Sequence, residues 1–377
     1  MRPVLARPGK RLALLWWRCL LIGTCVVTGS AVALGMWWRP ASPVPPVAAR
    51  YSQVSPTCAR THNGVCRAPP YHCCERWRPT SLSLETDALL VDPRDHDRVL
   101  AGTPSGLWRS VDGGITWKAD AAWTTHSPIM ALAAMSSRAG IVAGAGDGAV
   151  YAATGDNRIG AWRRISPSFG PAPIFCLAYN SQLRVLLAGT VGALYRGEQR
   201  GARWQWRRVA TTAGASVTAV VWMSGNPRRG YASVFGSEPP VLSTADGGHN
   251  WRPDARGLPP TLPTESLLTV HGETAQVWLS TMGNGVWLRS GDGMWHDIDA
   301  GLPNHHAMPL TGGPTGVLYA GTMGNGVYRR QGTSVWRTLG SGLSTGRYIV
   351  LSLALVNSAK SSLLAGTARG MFRYPWP

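Results

Sequence analysis

The chain has 377 residues, of which only 15% are charged, and its 37 lysine and arginine residues outnumber its 19 aspartate and glutamate residues. The resulting net charge of +18 favours anionic partners. Nucleic acid is not among the partners we expect, because no nucleic-acid-binding module can be recognised and the N-terminus predicts export.

The first predicted element is a membrane-spanning segment over residues 19–38, which contain no charged residue. A helix of this length, at about 1.5 Å per residue, crosses a hydrocarbon core of about 30 Å. Because residues 1–18 are rich in arginine and lysine, we expect them to form a cytoplasmic tail, with the rest of the chain outside the cytoplasm. A cleaved signal peptide ending near Ala31-Val32-Ala33 is the alternative, and it would release a secreted protein.

Residues 39–70 follow as a proline-rich spacer and a cysteine-containing cap. Four cysteines lie close together at its end, and outside the cytoplasm they favour two disulfides over a zinc site, since their spacing matches no zinc motif. Neighbouring cysteines rarely pair with each other, so Cys58 and Cys66 would each pair with one of the last two. The four candidates are Cys58, Cys66, Cys73 and Cys74. We predict no cofactor and no metal.

A repeat occupies residues 71–377. In each unit a strand of small residues ends near a triplet related to Ala-Gly-Thr, and the triplets recur every 41 to 47 residues, starting at Ala101, Ala143, Ala188, Ala232, Leu279, Ala320 and Ala365. A later tryptophan closes most units, at Trp117, Trp162, Trp206, Trp251, Trp295 and Trp336. This period predicts an all-β fold, a seven-bladed β-propeller of four-stranded blades. An eight-bladed or open array is the alternative.

The last unit lacks an outer strand, because the chain ends soon after Phe372. Trp77-Arg78-Pro79 resembles Trp251-Arg252-Pro253 of the fourth unit, so we expect this N-terminal segment to complete the last blade and close the ring.

Two turns within the repeat share the pattern Ser/Thr-x-Asp-x-Gly-x-Thr/Asn-Trp, and a third turn has a shortened form. In such a turn the aspartate can accept hydrogen bonds from its own backbone, and the tryptophan packs between strands. We therefore assign these residues a structural role: Ser110, Asp112, Gly114, Thr116 and Trp117 in the first turn, Asp246, Gly248 and Trp251 in the second, and Asp292 and Trp295 in the third.

With these turns, residues 80–377 resemble the Asp-box (BNR) propellers, a class that includes sialidase-like proteins, sortilin-type receptors and photosystem II stability and assembly factors, and that shares its architecture with WD40- and YVTN-like repeats. The resemblance implies a ring of blades with function on one rim or in the central channel. It does not select among these functions.

A basic sector departs from the repeat. Residues 157–230 contain Glu198 as their only acidic residue, and they contain eleven arginines. Such a charge attracts an acidic protein surface or membrane complex, with an anionic glycan or lipid headgroups as alternatives. The predicted partner-binding residues are Arg158, Arg163, Arg164, Arg184, Arg196, Arg200, Arg203, Arg207, Arg208, Arg228 and Arg229.

Catalytic residues are not predicted. A glycoside hydrolase needs two carboxyl groups across the scissile bond, and only Asp87, Glu265 and Glu273 lie near predicted inner strands. The sequence therefore favours a membrane-anchored, extracytoplasmic scaffold that binds or assembles proteins, as in the photosystem assembly factors it resembles. An exported sialidase-like hydrolase or a glycan-binding propeller is the alternative.

Overall fold

A computed structural model describes residues 76–136, 140–153, 161–270, 276–313, 316–358 and 361–375. The predicted tail, membrane span and spacer, the four cysteines of the cap, Arg158 and Glu273 lie outside these residues. Within the described ranges, no helix is long and apolar enough to cross a membrane.

The described residues form short strands, separated by tight turns, and one 3₁₀ helix at Pro303–His305. In chain order the strands are β1 (Arg78–Pro79), β2 (Ala88–Asp92), β3 (Asp95–Thr103), β4 (Gly106–Ser110), β5 (Lys118–Ala119), β6 (Ile129–Ser136), β7 (Gly140–Ala145), β8 (Val150–Ala153), β9 (Trp162–Arg164), β10 (Cys176–Asn180), β11 (Val185–Arg200), β12 (Arg203–Trp222), β13 (Gly230–Phe235), β14 (Val241–Thr244), β15 (Arg252–Pro253), β16 (Thr264–Val270), β17 (Gln276–Thr281), β18 (Val286–Arg289), β19 (Trp295–Asp297), β20 (Ala307–Gly312), β21 (Val317–Thr322), β22 (Val327–Gln331), β23 (Arg337–Thr338), β24 (Val350–Val356), β25 (Ser362–Thr367) and β26 (Gly370–Pro375).

Backbone hydrogen bonds join these strands into six antiparallel sheets. Five sheets have four strands each, namely β2–β5, β6–β9, β16–β19, β20–β23 and β24–β26 with β1, and the sixth sheet contains all strands from β10 to β15. The all-β propeller is confirmed. The described residues form six blades, however, and the predicted number of seven is wrong.

The numbers differ because the third and fourth repeat units share two long strands, β11 and β12. Where the units would otherwise separate, Val191 pairs with Ser216 and Ala193 pairs with Thr211, with an irregular register between the two pairs. The backbone hydrogen bonding is therefore continuous across the junction. A sequence repeat reflects the pattern of side chains, so it does not show whether the backbone hydrogen bonds of one unit continue into those of the next unit.

The predicted closure of the ring by the N-terminal strand is confirmed. In β1, Arg78 pairs with Arg373 and Pro79 pairs with Phe372, which places β1 at the outer edge of the β24–β26 sheet. The inner strands β2, β6, β10, β12, β16, β20 and β24 lie side by side, and β24 contacts β2 again.

The closing tryptophans bind backbone carbonyls in two ways. In the two complete Asp-box-like turns, the indole N–H of Trp117 donates to Gly114 at 3.0 Å and that of Trp251 donates to Gly248 at 3.3 Å. Four other indoles donate to the preceding repeat unit. These contacts are Trp206 to Ile165 at 2.8 Å, Trp295 to Asp254 at 2.9 Å, Trp336 to Ile298 at 2.9 Å and Trp77 to Leu339 at 2.8 Å. Tryptophans without a local turn thus join neighbouring units.

The threonine of the repeated triplet closes the turn between the second and third strands of a unit. In four units its fully buried hydroxyl donates to the carbonyl of a glycine with positive φ. These pairs are Thr103 with Gly106 at 2.8 Å, Thr281 with Gly285 at 2.9 Å, Thr322 with Gly326 at 2.7 Å and Thr367 with Gly370 at 2.7 Å. A positive φ favours glycine, which explains why the residue recurs there.

Candidate functional site

Four predicted arginines lie on one face of the outer part of the β11–β12 hairpin. Arg196 pairs with Arg207, Glu198 with Gln205, and Arg200 with Arg203. Residues directly opposite each other in an antiparallel pair lie on the same face, and alternate residues along a strand share that face. We call this set of six residues the arginine face. It carries four guanidinium groups and one carboxylate.

The opposite face of the hairpin anchors it to the β6–β9 sheet. Trp206 donates its indole N–H to Ile165 at 2.8 Å, and Trp204 stacks on Trp206 with ring centroids 5.9 Å apart. Strand alternation then directs the arginine face away from that sheet and towards the turn between β14 and β15. At the tip, Gly201 has a φ of 64°, so the turn between Arg200 and Arg203 suits glycine.

Glu198 neutralises part of this charge. Arg196 contacts one oxygen of its carboxylate, and Arg200 Nη2 donates to the other at 3.1 Å. These two hydrogen bonds, with the charges of the same guanidinium groups, lower the pKa of Glu198 to about 2. Glu198 is therefore ionised at neutral pH and is already occupied by two cations.

Arg196 does not belong to the exposed binding surface. Its side chain is only 4% exposed, and its Nε donates to the carbonyl of Gly247 at 2.8 Å. The guanidinium thus holds the β14–β15 turn against the hairpin. Its assignment as a partner-binding residue is corrected, because burial removes it from direct contact with a partner.

His249, in the β14–β15 turn, is a residue that the sequence did not single out. Its Nδ1 contacts Nη2 of Arg207, a residue 42 positions earlier in the chain. Burial and then the charges of Arg196 and Arg207 lower the pKa of His249 below its usual value. His249 occupies a variable position of the Asp-box pattern, so only its contact across the sheet reveals this environment.

The backbone of the first Asp-box-like turn is organised by Asp112. Its carboxylate accepts hydrogen bonds from the Ser110 hydroxyl at 2.7 Å, from the backbone N–H groups of Ile115 and Thr116 at 3.1 and 2.9 Å, and from the Thr116 hydroxyl at 2.6 Å. Burial opposes ionisation of Asp112, but these hydrogen bonds outweigh it and lower its pKa.

The second turn repeats this geometry around Asp246, which accepts from the backbone N–H groups of His249 and Asn250 at 2.9 and 3.0 Å and from the Asn250 side chain at 2.7 Å. The third turn is simpler. Asp292 accepts from the backbone N–H of Met294 at 2.9 Å, and the indole of Trp295 donates outside the turn, to Asp254.

Of the other predicted arginines, two lie next to the arginine face. The carbonyl of Arg184 accepts from the backbone N–H of Gln199 at 3.0 Å, and the carbonyl of Arg228 accepts from the backbone N–H of Gly247 at 2.9 Å. Both side chains are exposed. The remaining arginines lie apart: Arg163 and Arg164 on β9, Arg208 opposite Tyr195, and Arg229 beside β13.

The candidate catalytic acids are not brought together by neighbouring sheets. Asp87 precedes β2, whereas Glu265 lies in β16, and both are half-buried. The inner strands next to β16 are β12 and β20, and those next to β2 are β6 and β24. Among the described side chains, no group of three or more His, Cys, Asp or Glu residues could hold a metal ion.

No family model and no curated protein sequence matches the chain. Solved structures do match it. The extracellular domain of the putative one-component system BT4673 from B. thetaiotaomicron aligns with a TM-score of 0.60 at 15% identity, over 80% of this chain and 40% of that chain. YCF48 bound to a D1 peptide aligns at 0.60 and 13% identity, over 80% and 95%. The GH74 xyloglucanase from Xanthomonas campestris aligns at 0.60 and 20% identity, over 79% and 53%.

These neighbours share the β-propeller with this chain, and at such identities they show the fold alone. The chain spans less than half the length of the BT4673 chain and about half that of the xyloglucanase. Because the neighbours include a peptide-bound protein, an extracellular domain of a putative one-component system and a xyloglucanase, the fold does not decide between binding and catalysis.

Proposed function

We propose that the propeller is an extracytoplasmic scaffold that binds an acidic protein surface through the arginine face. The observation that carries the proposal is the register of the β11–β12 hairpin, which puts four guanidinium groups and one carboxylate on one face. Arg203 and Arg207 are exposed, and neither contacts a carboxylate among the described residues. Clustered charge of one sign speeds association with an oppositely charged partner.

An acidic protein suits this surface better than a lipid or glycan for two reasons. Guanidinium groups bind carboxylates in a bidentate geometry that rewards fixed positions, and a paired β-hairpin supplies such positions. Arginine is also enriched at protein interfaces. The alignment with peptide-bound YCF48 over 95% of that chain supports the same choice.

Two other observations support the proposal that the propeller lies outside the cytoplasm. Residues 19–38 predict a single membrane span with the propeller outside the cytoplasm. The neighbour from BT4673 is itself an extracellular domain. Anchoring would concentrate the scaffold at the membrane surface, where an acidic membrane complex could bind it.

The contacts of several described carboxylates favour structural roles over hydrolysis. Several of the described aspartates have structural partners: Asp112 and Asp246 order turns, Asp92 pairs with Arg94 at 3.0 Å, and Asp254 pairs with Arg289 at 3.0 Å. A carboxylate committed to an ion pair is a poor general acid, because the neighbouring cation favours its ionised form.

The test uses the full chain and a fluorescent peptide rich in glutamate. Charge reversal at Arg200, Arg203 and Arg207 should weaken binding at least about tenfold, because the attraction becomes repulsion. The matched control reverses three exposed cations on the short outer strands β5, β15 and β23, namely Lys118, Arg252 and Arg337. Equal loss in the two triple variants would show that only net charge matters and would overturn the proposal.

Two further probes separate the alternatives in the same experiment. Polygalacturonate represents an anionic glycan, and vesicles containing phosphatidylglycerol represent anionic lipid. The proposal predicts that the peptide is the probe whose binding depends most on the arginine face. If polygalacturonate or the vesicles showed the larger dependence, the acidic-protein assignment would be wrong.

A further inference from the structure

Arg207 of the arginine face contacts His249 of the β14–β15 turn. The turn is held in place from several sides. Asp246 accepts the backbone N–H of His249 at 2.9 Å, Arg196 donates to the carbonyl of Gly247 at 2.8 Å, and the N–H of Gly247 donates to Arg228 at 2.9 Å. The imidazole is therefore presented to Arg207 by a fixed backbone.

Four charged groups surround this imidazole: Arg196, Arg207, Asp246 and Glu198. The two carboxylates are already occupied, since Asp246 orders its own turn and Glu198 binds Arg196 and Arg200. Arg207 contacts the imidazole, and among the described residues it forms no ion pair. A guanidinium without a counter-ion among the described residues thus lies next to an uncharged histidine.

We propose that Arg207 and His249 form a binding site for one carboxylate of the partner, and that His249 takes up a proton when that carboxylate binds. This inference rests on the proposed function and assigns a chemical group to it. In the neutral ring Nδ1 accepts from Arg207, so the proton taken up from solvent is added at Nδ1 and that hydrogen bond is lost. The carboxylate would replace it, accepting hydrogen bonds from the guanidinium and from the new Nδ1–H.

The direction of the coupling follows from the local charges. Without a ligand, burial and the cations Arg196 and Arg207 keep the pKa of His249 below its usual value of 6.5. A bound carboxylate adds a negative charge and raises that pKa. Protonated His249 therefore binds the carboxylate more tightly, and affinity increases as pH falls through the interval between the two pKa values. The slope is at most about tenfold per pH unit, because one proton is taken up.

The test is titration calorimetry of the full chain with the glutamate-rich peptide, in two buffers of different ionisation enthalpy and at several pH values. We expect proton uptake and tighter binding at lower pH. His249→Gln should abolish the proton uptake and remove the gain in affinity that the wild type shows as the pH falls from 8 to 6, because glutamine cannot take up the proton. His296→Gln, an exposed histidine on β19, is the matched control and should behave as wild type.

The outcomes separate this inference from the proposed function. Peptide binding that depends on the arginine face but involves no proton uptake, or the same uptake in His249→Gln, would overturn the site and leave the scaffold function intact. Peptide binding that is indifferent to charge reversal at Arg200, Arg203 and Arg207 would overturn both.

Discussion

At the scale of single residues, buried charge organises the neighbourhood of the arginine face. Arg196 is almost fully buried, and Glu198 and the Gly247 carbonyl accept its hydrogen bonds. Removing one member of such a group costs more than the contact itself contributes, because the remaining charge stays buried without a partner. This is why Arg196 serves the fold while the exposed Arg203 and Arg207 are available for binding.

Glu198→Gln should destabilise the protein by about 1–3 kcal/mol at pH 7, because Arg196 loses its ionised partner. The pKa of Glu198 is lowered from 4.5 to about 2, so its contribution is present above pH 4.5 and is lost as the pH falls towards 2. The difference from the wild type, measured by urea unfolding, should therefore shrink between pH 5 and pH 3. Glu238→Gln, at an exposed turn, is the control. A difference that stays constant over this range would contradict the assignment.

At the scale of elements, the short outer strands share a feature. Every closing tryptophan is followed by an exposed basic residue. Six of these residues lie on short strands at the edge of a sheet, Arg78, Lys118, Arg163, Arg252, His296 and Arg337, and the seventh, Arg207, lies on the long strand β12. An outer strand presents unpaired backbone groups that invite another strand, and charged side chains on short edge strands oppose such pairing. The repeated cation is thus explained by edge protection, and the arginine face is a local enrichment above it.

Replacing Lys118, Arg163, Arg252 and Arg337 with threonine should promote self-association, because threonine favours strands and removes the edge charge. Size-exclusion chromatography with light scattering at increasing concentration measures the effect. The control changes the same number of exposed arginines in turns to threonine: Arg228, Arg256, Arg347 and Arg369. Association of both variants to the same extent would mean that net charge, and not its place on the edge, keeps the rings apart.

At the scale of the whole molecule, one N-terminal residue joins the two ends of the ring. Trp77 is 2% exposed, donates its indole N–H to Leu339 at 2.8 Å, and donates its backbone N–H to Ser341 at 3.0 Å. Its ring lies 5.3 Å from that of Tyr374 in the last strand. It therefore connects β1 with the β20–β23 sheet as well as with its own sheet.

Trp77→Ala should cost about 3–5 kcal/mol of stability, the range for a large buried aromatic residue. Because the lost contacts join the chain ends, the β24–β26 sheet should open first. Hydrogen exchange of its backbone amides should therefore become faster there than elsewhere in the propeller. Trp162→Ala, at a half-buried tryptophan of β9, is the comparison and should cost less. Uniform loss of protection throughout the propeller would contradict a local role in closure.

The fold could be predicted from the sequence because the units of a propeller form the same local contacts. The threonines of most triplets, the glycines of the turns, the aspartates of the Asp-box-like turns and most closing tryptophans interact within one unit or with a neighbouring unit. Such contacts recur at a constant spacing, so they are visible as a pattern. The N-terminal strand was also predictable, since Trp77-Arg78-Pro79 repeats the motif of another outer strand.

What the sequence by itself determined is the all-β repeat, the closure of the ring and a sector rich in arginine. Only the tertiary structure decided that two units share one six-stranded sheet, that Arg196 is buried and that His249 lies against Arg207. The physical reason is that these features depend on strand continuity and on the face to which a side chain points. A bulge or a contact between neighbouring units changes both without changing the periodicity of the chain.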